Sequence, residues 1–140
     1  MTRAALPAAL LLITGLAACG RGVDVPAPPS PGTPECTALQ LPDTVLGAGR
    51  RPTEDPATAA WGEPPITLRC GVARPQALTP TANLVEVNGV AWLPVSGEGG
   101  TAFVAVDWPS KDDPVYVEVL VPAAYAPEAA ALVDLAPAFG

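Results

Sequence analysis

From residue 84 onward, apolar and polar side chains alternate with a period of two, the pattern of half-buried strands. The run Leu84-Val85-Glu86-Val87-Asn88-Gly89-Val90-Ala91-Trp92-Leu93 is a hairpin signal, because Asn-Gly accepts the positive φ values of a type I′ turn. A two-residue turn there pairs Val87 with Val90 and Val85 with Trp92, leaving Glu86 and Ala91 on the opposite side. The Trp92 side is the predicted core face. A glycine-rich break over 96–100 precedes the apolar run 102–106, and a polar break over 109–114 precedes the run 115–121. In that last run Val115, Val117, Val119 and Val121 share one face, and Tyr116, Glu118 and Leu120 the other. Four strands joined by short turns make an antiparallel meander. A fifth strand is predicted over 66–72, with Ile66, Leu68, Cys70 and Val72 on its buried face and Arg69 on the other.

Helices are predicted to be short and peripheral, over 34–41, 55–61 and 127–135. Asp55 is placed to cap the second. Leu132, Leu135 and Phe139 recur at helical spacing along the third, enough to lie on a sheet. The predicted fold is α+β: an antiparallel sheet of about five strands with short helices packed on one face, a two-layer domain over residues 36–140.

The N-terminal pattern differs. Arg3 is followed by an uncharged run through Leu6, Leu10, Leu11, Leu12, Ile13 and Leu16 that stops before Gly20 and Arg21. It falls short of the roughly 20 residues of a spanning helix and has the layout of a secretory signal peptide. Leu16-Ala17-Ala18-Cys19, where the run ends, resembles the bacterial lipoprotein signal, whose cysteine is diacylated and becomes the first residue after cleavage. The expected organisation is a lipoprotein signal peptide over 1–18, an acylated Cys19 with a proline-rich tether through residue 35, and a domain on the extracytoplasmic face of the cell membrane. A plain signal peptide or an uncleaved anchor is the alternative. Each buried methylene contributes about 0.8 kcal/mol, so two acyl chains hold a protein where one would exchange. The tether carries Pro26, Pro28, Pro29, Pro31 and Pro34; extended as polyproline, it reaches about 45 Å.

Charge narrows the partners. The chain has seven basic and fourteen acidic residues and no histidine, and cleavage before Cys19 removes only Arg3 among them, leaving a net charge of about −8 that repels polyanions. Nucleic acid is set aside as a partner. Cys36 and Cys70 then remain in an exported chain, and an even pair outside the cytoplasm reads as a disulfide. The alternative, a metal site, lacks histidine and a second cysteine pair, so neither metal nor cofactor is expected.

Cys36 with Leu39 and Leu41-Pro42, the run Trp61-Gly62-Glu63-Pro64-Pro65-Ile66 leading into Leu68-Arg69-Cys70-Gly71-Val72, Val87-Asn88-Gly89-Val90 with Trp92, and Val121-Pro122 with Tyr125 together resemble the DUF3515 family of exported actinobacterial proteins. The resemblance runs from residue 36 to about residue 137. It implies an exported location and a paired Cys36 and Cys70, and it implies no known activity.

Catalytic material is sparse. Ser30, Ser96 and Ser110 sit in linker or turn contexts without a nucleophile-elbow motif, and Ser110-Lys111 reads as solvated turn chemistry. Asp112 and Asp113 are neighbours on a turn, where side chains diverge, unlike a glycosidase pair. No calcium loop or phosphate cradle is present in the sequence. Two residues are candidate partner contacts. Trp61, beside Gly62 and Pro64-Pro65, suits a flat apolar platform, or else plugs the core. Arg69 suits bidentate recognition of a carboxylate or phosphate, or else pairs with a local acid such as Glu86 or Asp107. Arg50-Arg51 reads as a solvated loop cluster. The expected function is a lipid-anchored, non-catalytic binding or accessory module for an envelope protein or glycan; the alternatives are a structural lipoprotein stabilising a membrane complex and a hydrolase of unrecognised type. Cys19→Ala is expected to release the protein from membranes or block its processing, read by fractionation and intact mass; unchanged retention and mass would rule out acylation.

Overall fold

The computed structural model describes residues 21–140. The signal peptide expected over 1–18 and the acylation of Cys19 lie outside the described residues. Eight strands run in chain order: β1 Thr44–Val45, β2 Ala48–Arg51, β3 Thr58–Trp61, β4 Ile66–Val72, β5 Val85–Val87, β6 Val90–Gly97, β7 Gly100–Ala105 and β8 Tyr116–Pro122. Helix α1 spans Pro34–Ala38, α2 spans Ala130–Leu135, and 3₁₀ turns cover Ala123–Tyr125 and Ala136–Phe139. The strands form one antiparallel sheet in the order β1-β2-β3-β4-β8-β7-β6-β5. Two meanders, β1–β4 and β5–β8, therefore meet at one seam, where β4 pairs with β8.

The C-terminal meander follows the alternation, except that Val85, expected on the core side, is 38% exposed on the edge strand. Val85 pairs with Trp92 and Val87 with Val90, and Asn88 and Gly89 take φ values of 48° and 83°, as a type I′ turn requires. The sheet has eight strands rather than about five because β1, β2 and β3 carry weak sequence signals. The β1–β2 turn uses Leu46 and Gly47, both at positive φ, and leucine in that region costs roughly 1–2 kcal/mol. An Asp134 oxygen on α2 holds the turn by accepting the Leu46 amide at 2.7 Å. The helix expected over 55–61 is replaced by β3. Asp55 accepts from the Ala57 amide through its side chain and from Thr58 through its carbonyl, so it builds a side-chain turn instead of a helix cap. The helix expected over 34–41 stops at Ala38, with Thr33 as its cap, and the one expected over 127–135 is regular only from Ala130.

One core fills the face of the sheet defined by Trp61, Ile66, Leu68, Cys70, Trp92, Phe103, Val117, Val119 and Val121. The C-terminal segment closes it with Leu132, Leu135 and Phe139, as their spacing predicts. Phe139 meets Trp92 and Trp108 edge-on, both at 5.2 Å between ring centroids, and its carbonyl accepts the Trp108 indole N–H. On the back face, the loop after β4 lays Leu78 and Ala82 over Leu93, Val104 and Val106 in a smaller cluster. Among the described residues, no helix is long and apolar enough to cross a membrane.

The proline-rich stretch is laid onto the domain rather than extended away from it. The Val23 amide donates to Pro52 and the Ser30 amide to Gly71, and Val25 and Pro28 are buried between these two points. Gly71 is required there: a Cβ on it would collide with the Ser30 carbonyl. Backbone hydrogen bonds and apolar burial hold the stretch on the domain, because it has a sheet end to pack against.

Cys36 and Cys70 form a disulfide with Cα atoms 5.6 Å apart, tying α1 to the core face of β4. Closing a loop of that length stabilises the fold by about 3–4 kcal/mol in the chain-entropy model. Replacing both cysteines with alanine is expected to lower the unfolding free energy by about that amount in urea titrations. The unaltered denatured domain is expected to show no reactive thiol at either position.

Candidate functional site

Trp61 does not form a platform. It is fully buried, its indole N–H donates to the Pro42 carbonyl at 2.9 Å, and the Arg50 guanidinium lies 5.2 Å from its ring centroid. The β2–β3 register sets this arrangement by placing Arg50 opposite Trp61. The following turn is equally committed to structure. The Tyr125 hydroxyl donates to the Pro64 carbonyl at 2.7 Å, and Gly62 lies so close to Tyr125 and Ala48 that a side chain there would collide with both.

Arg69 stands on the back face, as the alternation of β4 predicts, but its partner is neither Glu86 nor Asp107. Its Nε donates to Glu118 at 3.1 Å, across the β4–β8 seam in direct register. Both side chains are part-buried, and the Glu118 carboxylate across the seam offsets the Arg69 charge. Asp107 instead accepts the Ala91 amide at 2.8 Å. Arg51 also departs from expectation. It is not a solvated loop residue: Nε and Nη2 donate to the Arg21 carbonyl, and Nη1 donates to the Gly62 carbonyl and to Glu63.

With Trp61 and Arg51 engaged internally, a candidate recognition geometry lies elsewhere, on the back face. The loop after β4 and the ends of β6, β7 and β8 enclose a cleft of about 410 Å³. Leu78, Leu84, Ala91 and Val106 make its apolar floor, and Arg74, Lys111, Tyr116 and Asp107 supply its polar groups. Arg74 donates to the Tyr116 hydroxyl at 3.1 Å and to the Leu78 carbonyl at 3.2 Å, which aims its guanidinium without neutralising it. Neither Arg74 nor Lys111 has a carboxylate within ion-pair distance among the described residues. Two cations against one carboxylate, Asp107, over an apolar floor favour an acidic group carried on an apolar body. A second cleft, of about 360 Å³, lies beside the disulfide and carries one cation, Arg50, which is already over the Trp61 ring.

Sequence reasoning missed this cleft because its cations are far apart in the chain. In the sequence Lys111 stands beside Ser110 in a polar turn, and Arg74 carries no local motif. The fold of the loop after β4 over the second meander brings them together. Ser110, for its part, accepts the Asp113 amide at 3.2 Å in an exposed turn.

A family model described as "Protein of unknown function (DUF3515)" matches residues 8–139. No curated protein and no solved structure matches the chain.

A double-mutant cycle with Arg69→Gln and Glu118→Gln is expected to give a coupling of about 0.5–1 kcal/mol in unfolding free energy, as for part-exposed ion pairs. A coupling indistinguishable from zero would show that the pair does not contribute to the seam.

Proposed function

We propose that this chain, which belongs to the DUF3515 family of proteins of unknown function, is a lipid-anchored, exported binding module without catalytic activity, held by an acylated Cys19 at the outer face of the cytoplasmic membrane. The observation that carries the binding assignment is the pair of cations, Arg74 and Lys111, neither in an ion pair among the described residues, over the apolar floor of the back-face cleft. The partner chemistry it fits is an acidic group on a partly apolar envelope component, a protein or a glycan conjugate. The non-catalytic reading is supported by the lack of histidine and by the turn role of Ser110 beside Lys111.

A second reading, a structural lipoprotein, draws on a different surface. Val95, Ala102, Leu120 and Thr67 lie in one register row across β6, β7, β8 and β4 on the back face, where Val95 is 41% and Leu120 44% exposed. A flat apolar row of this kind suits packing against another protein surface.

Photo-crosslinking in intact membranes separates the two readings. With a photoreactive residue at Leu84, on the cleft, a specific adduct is expected, and Lys111→Glu should reduce its yield roughly tenfold or more by replacing a charge-assisted contact with repulsion. Adducts formed only from a photoreactive residue at Leu120 would favour the structural reading. No specific adduct from either position would overturn the binding module.

A further inference from the structure

We infer that Arg51 clamps the root of the N-terminal segment to the sheet, so that the domain rests against the bilayer on its β2–β3 side instead of standing off on a tether. The inference rests on the acylation of Cys19 proposed above. Arg51 commits all three guanidinium nitrogens: Nε and Nη2 to the Arg21 carbonyl at 3.1 and 3.0 Å, and Nη1 to the Gly62 carbonyl and Glu63 Oε2, both at 2.8 Å. Its side chain is only 19% exposed, and its bond to the Gly62 carbonyl is part-buried, so the guanidinium is held by several charge-assisted bonds at once.

Downstream of the clamp the segment stays bound, through the Val23 amide to Pro52, the buried Val25 and Pro28, and the Ser30 amide to Gly71. Cys19 is two residues from Arg21, and two residues of fully extended chain span at most about 7 Å. A lipid on Cys19 therefore holds Arg21, and the sheet end gripping it, within about one headgroup layer of the bilayer, where a free proline-rich tether would allow about 45 Å.

The sheet gives this geometry a direction. β5 is the edge strand at the far side from β1 and β2, six strand spacings from β2, or up to about 29 Å away. Glu54 is exposed and shares a cleft with Gly22, Val23 and Asp24, which places it on the near side. Glu86, exposed on β5, is on the far side. The back-face cleft, formed around β6 and β8, is thereby presented away from the lipid surface, toward partners in the envelope.

The test uses the full chain isolated from membranes and reconstituted in phosphatidylcholine vesicles containing a lipid with a spin-labelled headgroup. A fluorophore is placed at Glu54→Cys in one sample and at Glu86→Cys in another. Short-range quenching is expected to be several-fold stronger at position 54 than at position 86. A flexible Gly/Ser insertion between Gly20 and Arg21, which leaves the clamp intact, should bring quenching at position 54 down to the level at position 86, and Arg51→Ala should lower it in the same direction. An acylated protein with equal quenching at both positions, or one insensitive to the insertion, would overturn the clamped orientation while leaving the anchor standing. A chain recovered without an acyl group on Cys19 would overturn both.

Discussion

The pairing of β4 with β8 is the constraint on which the rest of the molecule depends. Every other adjacent pair of strands joins neighbours in sequence, whereas this one brings residues 66–72 against residues 116–122. The loop-closure entropy of that long-range contact must be offset by what the two strands bury together. Ile66, Leu68 and Cys70 from one strand and Val117, Val119 and Val121 from the other are all at the bottom of the core. On the back of the same seam Arg69 faces Glu118. A register slip of one residue would turn both sets over, putting valines toward solvent and charges into the core. The disulfide, the α2 segment and the Ser30 contact at Gly71 all converge on β4 or on the core it floors.

The second meander was legible in the sequence because its signals are local. Asn88-Gly89 selects its own turn, and the alternation of Val117, Val119 and Val121 with Glu118 and Leu120 states which face is buried. The first meander was not, because its determinants are tertiary. Leu46 enters a positive-φ turn only with Asp134, from the far end of the chain, holding its amide. The helix-favouring run of alanines beside Trp61 becomes a strand because β4 and β2 flank it and its residues are buried on both faces. Tertiary burial overrides intrinsic propensity in such a segment.

The same division applies to the surface. Arg69 was correctly placed on the back face by period, but its partner depends on strand order, which the period does not contain. Trp61 and the prolines after it mark a tightly built turn, held by Tyr125 and Arg51, so the most distinctive run in the sequence is there for the architecture. The two cations of the back-face cleft, Arg74 and Lys111, carry no motif at all. In this chain the legible motifs describe how the sheet is joined, and the cleft cations lie in the loops laid across it.

The disulfide has a consequence in the order of events. Both cysteines, and every residue of the covalent ring they close, belong to the first half of the chain. Synthesis from the N terminus delivers both thiols before β5 to β8 have been made. Oxidation at that stage would preset β4 as a free edge, aligned and awaiting β8. Half of the sheet would then serve as a covalently fixed template for the half that follows.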